Sequence, residues 1–120
     1  MSTLNTVNIT NGTDSITVEG AVKGSAKAWV NFNGTSTVAI RASYNVSSIT
    51  DNGTGDYTVN FTTAMADRNY SIAQCAGNVS TNACYLTIFF TPAAGSFRFL
   101  CRSDAPATID ASECNVAIFR

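Results

Sequence analysis

Between Lys27 and Ala64, apolar and polar residues alternate in three runs separated by Asn-Gly and Asp-Asn-Gly turn signals. Val38, Ile40, Ala42, Tyr44 and Val46 fall on one side of an extended chain. Thr37, Ala39, Arg41, Ser43 and Asn45 fall on the other, the period of two of a half-buried strand. Tyr57, Val59 and Phe61 resume the pattern after the turn. The pattern predicts strands over Ala28–Asn33, over Thr37–Ile49 with a bend at Ser47-Ser48, and over Tyr57–Thr63. Before them, Thr6–Thr10 and Ser15–Val18 read as a hairpin across Asn11-Gly12, a dipeptide suited to positive φ. Gly20–Ser25 reads as a flexible joint. After them come Asn69–Cys75 and Cys84–Thr91 as a hairpin about Gly77-Asn78, then Ser96–Arg102 and Asn115–Phe119. Ser103–Ser112, with Pro106, is the longest irregular piece. No segment repeats apolar residues at helical spacing, so the fold class expected is all-β, an antiparallel β-sandwich.

Composition sharpens this. The chain has 120 residues, 45% hydrophobic but only 12% charged, with net charge −1 and its Lys and Arg scattered singly. No basic patch recruits nucleic acid or an anionic membrane. The start, Met1-Ser-Thr-Leu, has neither the basic nor the apolar region of a secretory signal. No apolar run approaches the roughly 20 residues of a membrane helix. Eight Asn-x-Ser/Thr sequons occur, as chance provides in so Asn- and Thr-rich a chain.

Histidine is absent, which removes the usual zinc ligand and any Ser-His or Cys-His nucleophile pair. Most of the carboxylates sit in turn-like segments, where Asp is favoured anyway. Asp51-Asn-Gly-Thr-Gly-Asp56 offers oxygen ligands but lacks EF-hand spacing, and a turn explains it more simply. The expectation is a non-enzyme with no metal and no cofactor. Cys75, Cys84, Cys101 and Cys114 are even in number and lack the C-x₂-C spacing of a metal site. Hairpin geometry suggests the disulfides Cys75–Cys84 and Cys101–Cys114; reduced cysteines acting as small apolar residues are the alternative. Trp29 falls opposite Val30 and Phe32, which suits a core or subunit interface and, less simply, a stacked sugar. Phe89-Phe90 sends one ring to each face, predicting burial on both.

The wording AWVNFNG, followed by VAIRASYNVSSITDNGTGDYTVNF and a terminal VAIFR, resembles the C-terminal domains of tailed-bacteriophage tail fibre proteins. The resemblance is strong over Ala28–Met65 and is strand pattern plus the last residues beyond Ser71. It implies a structural virion protein made in a bacterial cytoplasm, a jelly-roll-like sandwich forming a homotrimer, and non-covalent adhesion to a host-surface glycan. On that basis residues 1–26 are expected to attach to other virion proteins, most simply by adding the Thr6–Val18 strand to a partner, and residues 27–120 to form the fibre-tip-like sandwich. Only about 26 residues precede Lys27, where fibre proteins carry a long shaft, so a head decoration protein or a baseplate or neck subunit is the competing expectation. Receptor contact is expected from three polar loops, Asp51–Asp56, Ala76–Ala83 and Ser103–Ser112. Their candidate residues are Asp51, Asn52, Thr54, Asp56, Asn78, Thr81, Asn82, Asp104, Thr108 and Asp110.

Overall fold

A computed structural model describes residues 8–104 and 107–120, so Thr6, Val7, Ala105 and Pro106 of the segments above lie outside the described residues. The N-terminal part is a hairpin of β1 (Asn8–Thr10) and β2 (Ser15–Thr17) running into a short helix α1 (Val18–Gly24). Asn11-Gly12 makes the turn, with Gly12 at φ 105. The flexible joint expected over Gly20–Ser25 is thus corrected to a helix. Its local causes are plain: Thr17 Oγ1 accepts a hydrogen bond from the Gly20 amide at 2.9 Å as an N-cap, and Glu19 and Lys23 pair one turn apart at 2.7 Å.

The remaining strands are β3 (Ala26–Asn33), β4 (Ala39–Tyr44), β5 (Val46–Gly53), β6 (Asp56–Phe61), β7 (Ser71–Asn78), β8 (Ala83–Phe89), β9 (Ser96–Arg102) and β10 (Glu113–Phe119). All pair antiparallel in one sheet of order β4-β3-β10-β7-β8-β9-β6-β5. Apart from α1, the described residues therefore form an antiparallel β structure, as the alternation predicts. The sheet folds on itself: the half β4-β3-β10-β7 faces the half β8-β9-β6-β5. The halves are bridged on one side by the three β7–β8 rungs from Ala76 to Asn78. On the other side the edges β4 and β5 are separated by Asn45 alone, which nearly closes the sheet.

That position corrects the single long strand expected over Thr37–Ile49. Asn45 adopts φ 55, a left-handed conformation that Asn tolerates, and throws the chain from one edge of the sheet to the other. β4 also departs from the half-buried expectation. All six of its residues are exposed.

The core follows the predicted inward positions. Ala28, Val30 and Phe32 on β3 meet Tyr57, Val59 and Phe61 on β6, with Phe97, Phe99 and Cys101 from β9 and Cys114, Val116 and Ile118 from β10. Phe32 stands edge-on to Tyr57 with ring centres 5.3 Å apart, and Phe97 stacks on Phe99 at 5.7 Å. Each such large side chain contributes roughly 1.5–3 kcal/mol by burial. Phe89 and Phe90 do not follow this pattern. Both are exposed, since they lie at and beyond the end of β8; Phe90 instead sits beneath the Arg98 guanidinium, 4.5 Å from its ring centre.

Candidate functional site

Antiparallel pairing sorts the connections into two ends. At one end lie the β3–β4, β5–β6, β7–β8 and β9–β10 turns. At the other lie α1, the Asn45 corner, the β6–β7 and β8–β9 connections and Arg120.

The first end is knitted together by the Ser103–Ser112 segment. The Asp110 carboxylate accepts from the Gly55 amide at 2.7 Å and lies 3.0 Å from the Tyr57 hydroxyl. That hydroxyl is also 2.8 Å from the Gly34 carbonyl, and the Gly34 amide donates to the Ala111 carbonyl at 2.8 Å. Burial, followed by the Asp110 carboxylate, pushes the Tyr57 phenol far above its ordinary value, so it stays protonated as a donor. Gly34 is required by close approach, since a Cβ there would run into the Tyr57 hydroxyl. The Val79 amide reaches Ser112 Oγ at 3.3 Å, which brings the β7–β8 turn to the same segment.

The three loops expected to contact a receptor therefore converge on one end, but most of their residues serve the fold. Asp51–Asp56 shrinks to a Thr54-Gly55 turn, with Gly53 and Gly55 at positive φ and the Asp51 carboxylate accepting from the Gly53 amide at 3.0 Å. Asn52 donates to Thr58 Oγ1 at 2.8 Å. Asp56 pairs with Arg98 at 2.7 Å, and the Arg98 hydrogen bond holds its carboxyl below the usual range. Ala76–Ala83 shrinks to residues 79–82, because β7 continues through Asn78. Asn78 caps that turn by accepting from the Ser80 amide at 3.0 Å, and Asn82 turns the chain at φ 52. Thr108 forms an isolated bridge with Arg102, and Asp110 faces the interior partners just described. Thr54, Thr81, Asn82, Asp104 and Thr108 remain exposed at this end.

All four cysteines are free thiols. Cys84 is opposite Gly77, not Cys75, so the two exposed thiols of that hairpin are out of register. Cys101 and Cys114 are fully buried, and the Cys114 thiol donates to the Ala111 carbonyl at 3.7 Å. The neighbouring Cys101 side chain, followed by burial, raises the Cys114 thiol far above its ordinary value.

Sequence reasoning singled out Trp29, which at 40% exposure is not the core residue first favoured, but not the surface it belongs to, the outer face of β4-β3-β10-β7. The register aligns Tyr44, Trp29, Ala117 and Ala73 in one row. Ala42, Asn31, Asn115 and Cys75 form the next. A bulge opposite Asn31/Phe32 gives β4 one extra residue, Arg41, whose side chain reaches this face. It pairs with Glu113 at 3.1 Å and donates to the Ser112 carbonyl at 2.7 Å. Asn31 Nδ2 donates to Asn115 Oδ1 at 2.6 Å and to Glu113 Oε2 at 3.2 Å. The signal that could have found it is Trp29 facing outward; its companions come only from strand order. A third surface, apolar, is formed by Leu86, Ile88 and Phe90 along one face of β8 and just beyond it, whereas Phe89 points to the other face with its ring 6.2 Å from that of Phe97.

Comparison with known proteins finds no matching family model, no matching curated protein and no matching solved structure.

Proposed function

We propose that this chain is a non-enzymatic structural module of a tailed-phage virion, a jelly-roll-like sandwich that associates in threes and adheres to the host surface. The observation that carries the reading is the polarity of the molecule. A hairpin and helix project from one end, and the exposed polar turns gather at the other.

The projecting arm has the character of a docking element. Ile9 and Ile16 are cross-strand partners in β1 and β2, yet each is more than two-fifths exposed, as is Val22 on α1. A two-stranded ribbon with one short helix is marginal by itself, and its apolar face calls for a partner. The Cα radius of gyration, 16.7 Å, exceeds the about 14 Å of a compact domain of this length. Trimer formation is supported by Leu86, Ile88 and Phe90, apolar side chains exposed together on one face of β8 and its extension. Three copies would multiply a weak contact at each tip into useful avidity.

The arm equally favours a second reading, a cement or baseplate subunit that grips its neighbours without touching the host. Competition with phage for host adsorption separates the two. The isolated trimer should block adsorption, and Thr81→Lys with Thr108→Lys at the tip should relieve the block. Binding to emptied capsids with no effect on adsorption selects the cement reading, and a monomer by sedimentation defeats the trimer.

A further inference from the structure

We propose that the outer face of β4-β3-β10-β7 is a binding site for a neutral saccharide, with Trp29 as its stacking platform. The inference rests on the adhesion reading for its biological sense and adds to the tip contact a second one on the side of the sandwich.

Four features carry it. Trp29 is 40% exposed and Tyr44, its cross-strand partner on β4, is 57% exposed, so two aromatic side chains stand together on an open face. On the other side of Trp29 the register places Ala117 and then Ala73, whose methyl groups leave a low floor beside the indole. The result is a shallow groove of about 470 Å³ that includes Trp29, Ala73, Ala117 and Asn115, within the size range of small-ligand sites. One rung along, the Asn31–Asn115–Glu113–Arg41 network supplies fixed amide, carboxylate and guanidinium groups. Asn115 Nδ2 makes no hydrogen bond among the described residues.

A pyranose presents an apolar C–H face and a rim of hydroxyls that both donate and accept. An aromatic ledge beside a mixed donor–acceptor row matches that chemistry. The Arg41–Glu113 pair cancels its own charge, so the face offers no net attraction to an anion. A second copy of the chain is a poorer occupant. A standard interface buries about 800 Å² per partner and would cover the Arg41–Glu113 ion pair, while the apolar β8 surface needs no such desolvation.

Trp29 is the single tryptophan, so its emission reports this site alone. The test titrates the intact chain with neutral oligosaccharides of glucose, galactose and N-acetylglucosamine, following fluorescence. A saturable emission change with at least one of them is expected. Asn115→Ala should weaken it about tenfold, and Trp29→Ala, read by calorimetry, by tenfold or more. Leu86→Ser, on the apolar β8 surface, should leave affinity unchanged, and melting curves confirm that each variant is folded. No saturable change with any of these sugars overturns the proposal, as does unaltered binding by Asn115→Ala. Emission that shifts with protein concentration instead of sugar also overturns it and marks a self-interface. If the chain fails this panel yet still blocks phage adsorption, the saccharide site falls and adhesion stands. Failure in both assays removes both.

Discussion

Asn45 locks onto Thr63. Its side-chain oxygen accepts from the Thr63 amide at 2.7 Å, its side-chain nitrogen donates to the Thr63 carbonyl at 3.0 Å, and its own carbonyl accepts from the Thr62 amide at 3.1 Å. The same nitrogen lies 3.0 Å from the Lys27 carbonyl. One residue thus ties the beginning of β3 and the end of β6 to the corner that separates the two edge strands. Asn45→Ala removes these side-chain bonds and places an alanine at φ 55. The expected loss is about 2–4 kcal/mol in denaturant unfolding. Asn45→Gly relieves the strain but not the lost bonds and should cost less, about 1–2 kcal/mol. Equal losses for the two variants would show that backbone strain plays no part.

The Gly34–Tyr57 approach gives a coupled pair. Gly34→Ala forces its new methyl into the Tyr57 ring and hydroxyl and toward the Ala111 carbonyl, 2.9 Å away. A destabilisation of more than about 2 kcal/mol is expected, within the range for overpacking. Tyr57→Phe alone removes the hydroxyl donor shared by the Gly34 carbonyl and the Asp110 carboxylate and should cost about 1–3 kcal/mol. In the double variant part of the clash disappears, so the summed single losses should exceed the measured one. Strict additivity in the cycle would contradict the contact.

How much of this was legible in the chain depends on whether a feature is local. Tyr57, Val59 and Phe61 announce their inward face by alternation alone, and β6 is buried where that pattern predicts. Asn45 interrupts an equally regular alternation with no Gly or Pro to mark the break. Its left-handed conformation is set by Lys27 and Thr63, each 18 positions away. The helix α1 carried local signals, Thr17 as cap and the Glu19–Lys23 spacing, but seven residues are too few for apolar periodicity to register. Trp29 could be read as outward facing. That Tyr44 and Asn115 stand beside it follows only from β3 lying between β4 and β10.

Acid should weaken the fold through Asp56. The Arg98 hydrogen bond depresses its folded-state pKa, so the folded form releases its proton more readily than the unfolded chain, whose value is about 3.9. The stabilisation is complete above that value and is lost as pH falls toward the depressed one. Arg98 is nearly half exposed, so solvent screening keeps the effect modest. Thermal melts from pH 6 to pH 2 should fall most steeply below about pH 4, and Arg98→Gln should flatten that slope. An unchanged slope in the variant would assign the acid sensitivity to other carboxylates, of which Asp67, held low by Arg120, is the next to examine.

The cysteines separate by accessibility. Cys75 and Cys84 are exposed on the outer face, whereas Cys101 and Cys114 are sealed between the two halves of the sandwich. Alkylation needs both contact with the reagent and a thiolate. Cys114 has neither, because the neighbouring Cys101 side chain and burial hold the proton in place. Iodoacetamide applied to the folded chain without reductant should label Cys75 and Cys84 within minutes to hours at mildly alkaline pH. Cys101 and Cys114 should react only when denaturant opens the sandwich, at a rate that follows unfolding. Peptide mass mapping distinguishes the sites. Labelling of all four in denaturant identifies free thiols throughout, whereas a Cys101–Cys114 peptide pair two mass units light and resistant to the reagent would reveal a disulfide across the β9–β10 connection.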